Sequence, residues 1–224
     1  MIRPTTNKTL KLNTHTSNIV WGSDFHFDHD PNWDIPLWKM RGWNSVEESN
    51  EAIIADVNKT FENFQNTKPN ILILLGDVYI PPTKDKKERN IELLKRLNAD
   101  KIYYIFGNHE PHMFKIANEN NDCNVEFLGH YKDIRVDTDM IAAMHYPIGS
   151  WNKKAYGAWM LHGHCHNSYE LGRPFNLGEK ILDVGVESAL EYSYNEHCVF
   201  THEDVRLILA NKKSQEIDHH INER

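Results

Sequence analysis

The stretch Ile71-Leu72-Ile73-Leu74-Leu75-Gly76-Asp77 constrains the chain most: five aliphatic residues with no polar interruption, then a glycine, then a carboxylate. An apolar run this short, partly β-branched and closed by Gly, reads as a strand buried on both faces. In open α/β sheets ligands gather at the carboxyl ends of such strands, so Asp77 is expected at a rim. A lone Gly-Asp more often just opens a turn. Asp77 rises above that reading because other hydrophobic runs end in the same chemistry.

Asn18 to Ser23 leads into Asp24-Phe25-His26, and alternate residues of an extended segment would point both side chains at one ion. Lys101 to Phe106 ends in Gly107-Asn108-His109-Glu110, Met140 to Met144 in His145, and Ala158 to Leu161 in His162-Gly163-His164-Cys165-His166. Between these lie helical patterns. Ser45 with Glu48 suggests a capping box before Ile53, Ile54, Val57 and Phe61, and Thr83 is expected to start a helix facing Ile91, Leu94 and Leu97 inward. Phe114 to Ala117 suggests a short helix, and Thr201 with Asp204 caps a final one. Phe27 to Arg41, rich in Trp and Pro, reads as a long loop packed by aromatics. Val125 to Leu128 and Ile134 to Val136 suggest short strands of a more antiparallel half, and Lys180 to Val184 a further strand. Residues 1–17 and 212–224 read as polar tails of one domain spanning the chain.

Composition narrows the partners. With 25 basic and 32 acidic side chains the formal charge is −7, which disfavours a broad nucleic-acid face. No run reaches the roughly 20 apolar residues of a membrane span, and the first residues lack a hydrophobic signal core, so a cytoplasmic location without membrane contact is expected. Cys123, Cys165 and Cys198 lie far apart, which argues for reduced thiols and against a Cys-x-x-Cys zinc module.

The strand ends together offer Asp24, His26, Asp77, Asn108, His145, His164 and His166. Two divalent cations roughly 3.5–4 Å apart require about this inventory, whereas one zinc needs only three or four ligands. Carboxylate, amide and imidazole donors favour Mn²⁺, with Fe, Zn²⁺ or Ni²⁺ as alternatives. Converging carboxylates without a cation would only set like charges together.

In their order, Asp24-Phe25-His26, Gly76-Asp77, Gly107-Asn108-His109-Glu110, His145 and Gly163-His164-Cys165-His166 resemble the calcineurin-like metallophosphoesterases, and most closely the small bacterial and phage members. The resemblance runs from about Ile19 to Gly185 and implies an α/β fold, a four-layer αββα sandwich of two mixed sheets. It also implies that Asp24, His26, Asp77 and His166 hold one ion and Asp77, Asn108, His145 and His164 the other. The hydrolysis it implies uses a water bridging both cations, whose pKa falls to about 7, with His109 protonating the leaving oxygen or stabilising the transition state and Glu110 orienting its loop or the imidazole.

The protein phosphatases of that family extend the second block as Gly-Asp-x-x-Asp-Arg-Gly, where this chain reads Gly76-Asp77-Val78-Tyr79-Ile80-Pro81-Pro82. The missing arginine leaves Arg41, Arg173 and His29 as candidates for holding the substrate phosphate. The expected function is hydrolysis of a small phosphodiester or nucleotide. A nuclease acting on nucleic-acid ends, a phosphomonoesterase and a non-catalytic scaffold are the alternatives.

Overall fold

The computed structural model describes residues 8–30, 36–79, 86–109, 124–168 and 179–213. The described residues contain two five-stranded sheets stacked face to face. The first holds β2 (Asn18–Gly22), β3 (Asn70–Leu74), β4 (Lys101–Ile105) and β5 (Val125–Gly129), all parallel, with β10 (Phe200–Thr201) antiparallel on β2 at one edge. The second runs β1 (Leu10–Leu12), β6 (Tyr131–Val136), β7 (Asp139–Met144), β8 (Trp159–His162) and β9 (Ile181–Asp183). Its β6–β7 hairpin is antiparallel and its other pairings are parallel.

Alternation along the strands assigns the layers. Ile19, Trp21, Ile71, Ile73 and Leu75 face between the sheets, meeting Ile134, Ile141, Ala143, Trp159 and Leu161. Val20, Leu72, Leu74, Ile102 and Tyr104 point the other way, onto the helices α2 (Val46–Glu62) and α3 (Lys86–Lys95). The Ile71 run is therefore buried on both faces, each full aliphatic burial being worth about 1.5–3 kcal/mol. On the outer face of the second sheet Trp151, Ala158 and Ile148 cover Ala142, Met160 and Ile181. The helices α4 (Val186–Tyr192) and α5 (His202–Ala210) follow, and Ala189, Val205 and Leu209 join the layer between the sheets.

Several details differ from the sequence reading. Residues 10–12 are not part of a tail: Leu10 to Leu12 pair parallel with Ile134 to Val136, and two alternating leucines were too short a pattern to stand out. Val125–Gly129 belongs to the parallel sheet, not to an antiparallel half. The long loop contains one helical turn, α1 (Leu37–Met40). Ser45 Oγ accepts the Glu48 N–H at 3.1 Å, but the Glu48 carboxylate takes the Asn44 N–H, so the box is displaced by one residue. Thr201 and Asp204 form the full reciprocal box. The expected Thr83 start and the Phe114–Ala117 helix lie outside the described residues. Among the described residues no helix is long and apolar enough to cross a membrane.

Candidate metal centre

The carboxyl ends of β2, β3, β7 and β8 converge, and two trios of donors result. Asp24, His26 and His166 place one ligand atom each within 4.8 Å of one another, and so do Asp77, His145 and His164. Asn108, after β4, joins the second trio, its Oδ1 lying 3.0 Å from His145 Nε2.

The local backbone that achieves this is not the extended one expected. Asp24, His26, Asp77, His164 and His166 all have positive φ, between 46° and 69°. A left-handed non-glycine residue stores roughly 1–3 kcal/mol, and five of them around one point mark a site whose geometry the rest of the fold enforces. Two glycines permit the close approach. A Cβ on Gly107 would overlap the Asp77 carboxylate, and one on Gly163 would overlap Ser23 Oγ and Asp24 Oδ2.

The ends of the strands are also drier than a rim. Asp24 and His145 are fully buried and Asp77 nearly so. Burial favours the protonated form of Asp77, but the hydrogen bond and charge of His145 and the His109 N–H outweigh it and hold the pKa down to about 2. Asp24 is likewise lowered, against its own burial, by His26, His166 and His145. Burial lowers His26, while His166 is raised to about 9 because Glu187 outweighs burial. His164 is lowered by burial and by the neighbouring His145.

Both ring nitrogens of His26 are buried with no hydrogen-bond partner among the described residues. Its Nε2 faces Asp24 Oδ1 at 3.7 Å, and its ring stacks on His166 with centroids 5.1 Å apart. Orphaned imidazole nitrogens beside carboxylates held anionic are the donor set a divalent cation satisfies, so these residues fit such an ion.

The other expected residues are placed as follows. His109 is partly exposed above the centre, its N–H on Asp77 Oδ1 at 3.0 Å and its Nε2 3.7 Å from Asp77 Oδ2. His29 is buried, with its ring 5.4 Å from that of His26, and burial plus the charges of His26 and His109 lower its pKa to about 4. Arg41 is turned inward instead of toward a substrate: its guanidinium donates to the carbonyls of Asp24 (2.6 Å) and Phe25 (3.1 Å) and to Glu187 Oε1 (2.9 Å). Arg173 and Glu110 lie outside the described residues.

Three neighbours were missed. Glu187 Oε1 stands 2.9 Å from His166 Nδ1. Asp183 accepts the Asn167 and Gly185 N–H groups, and burial beside Asp24 raises it to about 7. Tyr146, half-exposed, meets the His164 ring edge-on at 4.5 Å. The segment Ile181-Leu182-Asp183-Val184-Gly185-Val186-Glu187 resembles Ile71–Asp77 only loosely, because Asp183 interrupts its apolar run and Val186 separates the glycine from Glu187.

Two stacked mixed sheets with paired metal-ligand trios at their strand ends make an α/β protein with a candidate metal centre. The family model of the calcineurin-like phosphoesterases matches residues 18–188, and the chain belongs to that family. A search of curated proteins gave no match.

Proposed function

We propose that the protein hydrolyses small phosphodiesters or nucleotides at a pair of divalent cations, most simply Mn²⁺. One observation carries the reading: two complete donor trios stand side by side, with the orphaned imidazole of His26 in the first. When bound, the cations lower the pKa of a water and offset charge on the phosphoryl oxygens.

The chain supplies the rest. Asp24, His26 and His166 would hold one ion, and Asp77, Asn108, His145 and His164 the other, with the Asp77 carboxylate near enough to serve both. His109, carried on a backbone N–H anchored to Asp77, delivers a proton to the leaving oxygen. His29, kept neutral above pH about 4, offers the phosphate a hydrogen bond without adding charge. Arg173 is the remaining candidate cation for the substrate. The chain's charge of −7 favours small anions over a long polyanion.

Assay of a nitrophenyl monoester and diester, a cyclic-nucleotide panel and single-stranded oligonucleotides, with and without Mn²⁺, tests this. Preference for small diesters is expected. Faster, salt-sensitive cleavage of oligonucleotides would assign a nuclease instead.

A further inference from the structure

Arg41 is only 1% exposed at its side chain, and a guanidinium so far from water is stable only when its donors are matched. Its three partners are informative because each belongs to the same half of the centre. Nη2 and Nη1 grip the carbonyls of Asp24 and Phe25, which lie on the turn that presents Asp24 and His26. Nε meets Glu187 Oε1, and that same oxygen is 2.9 Å from His166 Nδ1. The other trio is fixed by different groups: His145 Nδ1 donates to the Leu75 carbonyl at 2.7 Å, and Asp77 accepts the His109 N–H.

We propose that Arg41 and Glu187 are positioning residues for one ion alone, the one between Asp24, His26 and His166, so that the two ions bind with separately adjustable affinities. This rests on the two-cation reading above. When an ion takes the place of the Nε2 proton of His166, a carboxylate 2.9 Å from Nδ1 favours keeping the other proton there, and Nε2, 3.9 Å from Asp24 Oδ1, is the nitrogen on the Asp24 side of the site. Losing such a partner typically weakens metal affinity about 10–100-fold. Lysine at position 41 keeps the charge but cannot reach three acceptors in a planar fork.

The test is calorimetric titration of Mn²⁺ into chelator-treated full-length protein, with the electron paramagnetic resonance spectrum recorded at each step. Wild type is expected to take two equivalents with a coupled two-Mn spectrum. Glu187→Gln, nearly isosteric, is expected to keep one equivalent at wild-type affinity and to weaken the other about 10–100-fold, with an isolated-Mn spectrum at low loading. Arg41→Lys should weaken the same equivalent, with the urea midpoint lowered but the two-state unfolding transition retained. Equal weakening of both equivalents, or of neither, in the two variants overturns the inference while leaving the two-cation reading intact. A wild type that binds no Mn²⁺ overturns both.

Discussion

His145 Nε2 stands 3.3 Å from Asp77 Oδ2, so an imidazole from the second sheet meets a carboxylate from the first at the seam between them. The opposite nitrogen is tied to the Leu75 carbonyl of the first sheet. His145→Ala would remove a buried ring and one of two hydrogen bonds to that carbonyl, which keeps the Ser23 hydroxyl, and would take from the Asp77 carboxylate its imidazole partner, together about 1–3 kcal/mol. Urea unfolding in chelator should show a clearly lower midpoint. An unchanged midpoint would mean that the ring contributes nothing to joining the sheets.

His109 is anchored to the centre by its backbone N–H on Asp77, and its partly exposed ring lies beside the Asp77 carboxylate, 3.7 Å away, and edge-on to His26. His109→Ala should therefore lower kcat about 10²–10⁴-fold while the metal content per chain stays at the wild-type value. Parallel measurement of turnover and bound metal decides it, and comparable turnover by the variant would remove the assigned role.

Gly163 lies against Ser23 and Asp24 with no space for a methyl group. Gly163→Ala should destabilise the fold by about 1–3 kcal/mol through overpacking, with metal affinity falling alongside. A variant as stable as wild type would show that the strand ends lie further apart than described.

Far from the centre, Asp139 accepts from His202 Nε2 and from Arg206. Burial favours its protonated form, but those hydrogen bonds and the Arg206 charge outweigh it and lower its pKa. A lowered folded-state pKa gives stability that is present above the unfolded value, about 3.9, and is lost as pH falls through the folded one. Asp139→Asn should thus be less stable than wild type near neutral pH, with the gap closing below pH 4. Urea midpoints across pH check this, and a gap that stays constant down to pH 3 would contradict it.

Much of this architecture is legible in the chain because the residues that build the sheets also end them. The run Ile71–Leu75 reads as a doubly buried strand, the residues after each such run carry the donors, and the resemblance to the calcineurin-like family implies the two-sheet arrangement that brings them together. The backbone at Asp24 and His26 was read as extended, because left-handed conformations at non-glycine residues leave no periodic trace. Arg41 and Glu187 illustrate the other limit. They lie 146 positions apart, and only the tertiary fold could show that one guanidinium faces inward to the other's carboxylate.

The central claim is that divalent cations held by these trios make the protein a phosphoesterase. Its most direct test is the rate of nitrophenyl diester hydrolysis by chelator-treated protein before and after Mn²⁺ is restored. The account predicts loss of activity on chelation and recovery on adding Mn²⁺ back. Hydrolysis undiminished in protein shown to be free of metal would contradict it.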